Sequence, residues 1–151
     1  MAKGDDIQDR LIDFAVRILK VCDKLPKSAA GRHVSGQLVR SGTSAAPNYA
    51  EARGAESSAD FIHKLKICSK ELNESGVWLK IIIKYGMIPA EQLDAILDEC
   101  SQLARIINSS ITTAKNSQAA QARQVQEETM AYGTDVSDAP ASNDEWSPIN
   151  N

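Results

Sequence analysis

Residues 7–22 read Ile7-Gln8-Asp9-Arg10-Leu11-Ile12-Asp13-Phe14-Ala15-Val16-Arg17-Ile18-Leu19-Lys20-Val21-Cys22. At 100° per residue the apolar side chains of this stretch cover an arc of roughly 220°, wider than the stripe of an ordinary surface helix. Such a helix must touch more than one neighbouring layer. Asp5 and Asp6 suit its positive amino end, and Leu25-Pro26 disfavours helix beyond Lys24, so the first helix is expected from Asp5 or Asp6 to Lys24.

Three more helices follow. The second is expected from Ser28 or Gly31 to Gly54, with Val34, Leu38, Ser41, Ala45, Asn48 and Ala52 at helical spacing. That stripe is small and polar, and Ser41 to Pro47 holds poor helix formers. In an exposed helix interior Gly costs about 1 kcal/mol and Pro about 3 kcal/mol relative to Ala. Close packing by small residues and a kink at Pro47 are expected, the alternative being two short helices split between Gly42 and Ala46. The third helix begins after Ser57, where Ser57 and Asp60 have the S-x-x-D capping spacing, and ends near Lys84, before Gly86. Its main seam is Phe61, Leu65, Cys68, Leu72, Leu79 and Ile82, and residues Val77 to Ile83 are apolar nearly all round, which predicts burial on every side. The fourth starts at Pro89 and runs to about Lys115 through Leu93, Ile96, Leu97, Cys100, Leu103, Ala104, Ile107 and Ile111. Short connections favour antiparallel neighbours. The expected fold is therefore all-α, an antiparallel up-and-down four-helix bundle over residues 1–115.

Residues 116–151 turn to Gln, Ala, Ser, Asn and Glu, and read as a frayed helix followed by an acidic, mostly disordered tail. Trp146 stands alone there among polar residues, open to a docking role or to none. Residues 1–115 carry 16 Lys+Arg against 14 Asp+Glu, and the tail 1 against 6, so net charge alone does not argue for a nucleic-acid partner. The polar, acidic start lacks the pattern of a secretory signal, and no apolar run reaches the ~20 residues of a membrane span. A cytoplasmic protein with no membrane partner is expected. Cys22, Cys68 and Cys100 lie far apart on apolar helix faces, which favours core packing over redox or metal chemistry.

The segments Gln37-Leu38-Val39-Arg40-Ser41-Gly42-Thr43-Ser44, Asn48-Tyr49-Ala50-Glu51-Ala52-Arg53-Gly54 and Asp60-Phe61-Ile62-His63-Lys64-Leu65, with Lys24-Leu25-Pro26 and Glu71-Leu72, carry a resemblance. The chain resembles bacterial four-helix bundle proteins related to the protein encoded in 23S ribosomal RNA intervening sequences. The likeness spans about Leu11 to Ile111. It implies a homopentameric ring of antiparallel bundles, no established catalytic activity, and a role in binding RNA or DNA. A related branch is similar to the accessory protein of diversity-generating retroelements, whose pentamer contacts a reverse transcriptase and nucleic acid. That likeness gives the alternative function, an adaptor for a reverse transcriptase or another partner protein.

Two groups of residues are candidate sites. Arg40, Ser44, Asn48 and Glu51 recur at spacings of three and four, on one helix face. They suit a structural polar network at the kink, bridging to another helix or subunit, and alternatively a ligand site. Lys64, Lys66, Lys70, Lys80 and Lys84 of the third helix, with Arg32 and Arg53 of the second, are candidate nucleic-acid contacts. In one subunit they read as a solvated face, but a symmetric ring would multiply the charge, and phosphate affinity rises steeply with the number of charges engaged. Enzyme chemistry finds little footing. A di-metal bundle needs two carboxylate-x-x-His units, and only Asp60-x-x-His63 is present, because Ala30 precedes His33. Neither a phosphate-binding glycine loop nor a nucleophile triad is evident, and no cofactor or metal is expected.

Overall fold

The computed structural model describes residues 4–133. Among them are four helices and no strands: α1 (Asp5–Asp23), α2 (Ala29–Arg53), α3 (Ser58–Tyr85) and α4 (Ala90–Gly133). Local chemistry sets the boundaries. Ser28 and Ser57 cap α2 and α3, their hydroxyls accepting from the backbone N–H of Gly31 and Asp60 at 3.1 Å. Gly86 ends α3 with φ of 84°, a left-handed conformation that side chains with a Cβ resist. Pro89 stands one residue before α4.

α2 is one continuous helix through Pro47, not two. The proline faces solvent, so its ring displaces no core neighbour. Around it, Thr43 Oγ1 donates to the Val39 carbonyl at 2.6 Å and Ser44 Oγ to the Arg40 carbonyl at 2.7 Å. These bonds occupy hydroxyls that would otherwise compete with the helix.

Contacts divide the chain into two units, Met1–Asn116 and Ser117–Asn151. The first holds the core: Leu11, Phe14 and Ile18 of α1, Leu38 of α2, Leu65, Leu72 and Leu79 of α3 and Leu103 and Ile107 of α4 are fully enclosed. At the α1–α2 contact Arg53 bonds Asp5 at 2.6 Å, Gln8 donates to the Ala46 carbonyl at 3.2 Å, and Cys22 donates to the Ser35 carbonyl at 3.8 Å. Partner numbers fall along α2 as they rise along α1. The same order holds between α2 and α3, where Glu51 meets Lys64 and Arg40 meets Glu71 and Glu74. Ser69 bonds Asn108 at 2.7 Å and Cys100 donates to the Leu72 carbonyl at 3.1 Å between α3 and α4. Arg10 and Glu99 tie α4 back to α1.

Beyond Lys115, where a frayed helix is expected, α4 continues to Gly133, and each of its residues from 117 to 133 is exposed. Trp146 lies outside the described residues. No helix among the described residues is long and apolar enough to cross a membrane.

Candidate functional site

The four residues of the α2 stripe share a face, but their side chains do not bond one another. Ser44 and Asn48 turn back onto their own helix, Asn48 Nδ2 donating to the Ser44 carbonyl at 2.8 Å. Arg40 and Glu51 reach across to α3, where Arg40 pairs with Glu74 and lies 3.6 Å from Glu71, and Glu51 pairs with Lys64 at 2.5 Å. The face therefore works as two clamps between α2 and α3, separated by a self-satisfied turn. The buried polar join between these helices lies elsewhere. Ser41 and Ser75, both without solvent exposure, place their hydroxyls 3.0 Å apart, and Ser75 Oγ is also 2.8 Å from the Glu71 carbonyl oxygen. Sequence reasoning counted Ser41 in the inward stripe but missed Ser75, whose position three after Leu72 and four before Leu79 was the available signal.

The basic candidates split in two. Lys64 is held by Glu51, Arg53 by Asp5, and Arg32 donates to the Lys27 carbonyl. Bonding to Glu51 pushes the Lys64 ammonium above its ordinary value. Lys66, Lys70, Lys80 and Lys84 are exposed on α3 and fall within roughly 80° of one another at 100° per residue. None has a carboxylate at ion-pair distance among the described residues. Glu71 and Glu74 point the other way, towards Arg40.

Two apolar stripes remain in water. Ile12, Val16 and Leu19 of α1 are 43–46% exposed, spaced i, i+4, i+7 along one face. Val77, Ile81 and Tyr85 of α3 are 36–69% exposed. The greasy end of α3 is thus buried at Leu79 and Ile82 but not all round, as its composition suggested, because a helix at the corner of a bundle keeps an outward side.

Beside Val77 lies an open cleft of about 700 Å³ between α3 and α4. Gly76, Ser101 and Ala104 keep it open, Leu72, Leu97 and Cys100 line its floor, and Lys80, Asp94, Asp98 and Arg105 stand on its rim. All three cysteines are buried and free. Burial drives the Cys68 thiol up to about 12 and the Cys100 thiol to about 11, away from the reactive thiolate. Among the described residues no three His, Cys, Asp or Glu side chains gather as metal ligands would, and His63 is exposed.

With this geometry in place, the model of the 23S rRNA-intervening sequence protein family matches residues 5–109. The chain belongs to that family. Its structure is similar to a crystal structure of a protein of unknown function from the S23 ribosomal protein family of Bacteroides thetaiotaomicron. That likeness has 37% sequence identity and a TM-score of 0.66, and covers 70% of this chain and 97% of the other. Comparison with curated proteins returned no match. Neither likeness is to the retroelement accessory proteins, and neither is to a protein described as an enzyme.

Proposed function

We propose that this member of the 23S rRNA-intervening sequence protein family is a non-catalytic scaffold. In this reading, antiparallel up-and-down bundles associate into a homopentameric ring in the cytoplasm and engage RNA or DNA through the outward lysines of α3. The observation that carries the reading is the pair of exposed apolar stripes on α1 and α3. Ordered, helically spaced apolar rows on a well-packed bundle mark a surface that another protein covers. The opposed order of helix contacts, 5 with 53 and 22 with 35, supports the antiparallel arrangement.

Lys66, Lys70 and Lys84 support the nucleic-acid part. They are exposed lysines on one face without neutralising partners, and each phosphate neutralised releases counterions. The family's name, which ties it to ribosomal RNA, supports the same partner class. Titration of a labelled RNA by fluorescence anisotropy at several salt concentrations tests it. Affinity should fall as salt rises, and Lys66→Gln/Lys70→Gln/Lys84→Gln should weaken binding and flatten the salt slope by about 0.7–0.9 for each phosphate-binding lysine removed. No complex at low salt, or one indifferent to salt, contradicts the nucleic-acid role. Native mass spectrometry tests assembly separately, and should show multiples of the 16.4 kDa chain.

A further inference from the structure

The two stripes are not alike: of the α3 stripe only Val77 lines the cleft between α3 and α4. α1 carries Asp5, Asp6, Asp9, Asp13 and Asp23 against Arg10, Arg17 and Lys20, and Arg10 is turned inward onto Glu99. Its exposed surface is acidic around Ile12, Val16 and Leu19, and convex, as any single helix is. The α3–α4 surface differs in shape and charge. Its cleft rim is mixed, Lys80 and Arg105 against Asp94 and Asp98, and it is hollowed at the small residues Gly76, Ser101 and Ala104, beside Leu72 and Leu97. The hollow reaches from Asp94 to Asn108 along α4, about 20 Å at 1.5 Å per residue. It has the size to receive one helix.

Register adds a second match. Asp13 and Lys20 are seven residues apart on α1, and Asp98 and Arg105 are seven residues apart on α4, each spacing about 10 Å of helix. All four side chains are exposed or on the cleft rim. A helix laid antiparallel to α4 places Asp13 by Arg105 and Lys20 by Asp98 simultaneously.

We infer that the cleft between α3 and α4 receives α1 of a second copy of this chain, Ile12, Val16 and Leu19 entering over Val77 and Leu97. This contact rests on the proposed self-assembly and supplies its geometry. It is heterologous, each copy giving one face and receiving on the other, which generates a ring where the rotation closes. Lys80 then belongs to the contact, whereas Lys66, Lys70 and Lys84, which do not line the cleft, stay outside it.

Light scattering on three full-length forms tests the contact. Val16→Glu spoils the inserted face and Ser101→Trp fills the cleft; both positions are outside the core, and far-UV circular dichroism checks that each variant is helical. Each alone should run as a single chain, and an equal mixture should give a two-chain complex, because one partner keeps an intact helix face and the other an intact cleft. Assembly surviving Ser101→Trp, or a mixture that forms no complex, overturns the inference. A wild-type protein that is itself a single chain removes the underlying assembly, and is read before either variant. If Val16→Glu misfolds, the surface charges decide. Asp13→Arg should weaken association about fivefold, the scale of an exposed ion pair, and adding Arg105→Asp in the same chain should restore it. Failure of the double variant to recover places the contact elsewhere.

Discussion

Gly42 sets the distance between α1 and α2. A Cβ built there would lie 2.5 Å from Ile18 Cγ2 and 2.8 Å from its Cγ1, and Ile18 is fully enclosed, so the clash has no solvent to yield into. Gly42→Ala should therefore destabilise the bundle by about 1–3 kcal/mol, the range of overpacked cores, although Ala is the better helix former by about 1 kcal/mol. Chemical denaturation measures it, and an increase in stability would show that the two helices part freely. The small-residue stripe was legible in the sequence because Ser41, Gly42 and Ala45 are poor choices for a helix unless a neighbour demands them. The join of Ser41 to Ser75 was not legible, because a serine at a seam position says nothing about which residue of another helix faces it. The same applied to Arg40 and Glu51: their shared face was readable, but their separate partners on α3 were not.

At the scale of the elements, α2 holds together across Pro47 because the proline faces water and tertiary contacts fix both sides of it: Gly42 against Ile18 before, Tyr49 and Ala52 buried after. Pro47→Ala restores a backbone donor without entering the core, and should raise stability by up to about 3 kcal/mol. A loss in the denaturation experiment would mean that the bundle requires the proline's geometry. The tie between α1 and α4 is electrostatic. Arg10 grips Glu99 with two bonds of 2.8 and 2.9 Å and also donates to Gln102 at 3.2 Å. The hydrogen bond from Arg10 holds the Glu99 carboxyl below its ordinary 4.5, against the opposing effect of burial. A carboxylate whose folded value is depressed stabilises the fold above its unfolded value, and that contribution disappears as pH falls through the folded one. Glu99→Gln should thus cost up to about 1 kcal/mol at neutral pH, with the difference from wild type closing as pH falls through the depressed folded value. A gap that stayed constant with pH would assign the loss to packing instead. Helix number, order and starts were readable from caps and periodicity, to within a residue or two. The carboxyl end of α4 was not, because a run of Gln, Ala and Arg beyond Lys115 favours helix by propensity while offering no apolar face to signal it.

For the whole molecule, the central question is what hides Ile12, Val16, Leu19, Val77, Ile81 and Tyr85. None of them belongs to the buried core, and each leaves 36–69% of its surface in water, apolar area that the single bundle does not use. The wide apolar arc of residues 7–22 announced this excess in the sequence, since a corner helix of a bundle buries only its inward side. In the proposed assembly, the pairing of Asp13 with Arg105 and of Lys20 with Asp98 would favour one orientation of the copies. Family membership is in accord with a helical bundle of this length, and the 37%-identical relative has the same architecture across 70% of this chain. Self-association is best tested by multi-angle light scattering of the full-length protein across a hundredfold range of concentration. A five-membered ring predicts a mass five times that of the 16.4 kDa chain, stable on dilution into the low micromolar range. A mass of one chain, unchanged at the highest concentration, would contradict it.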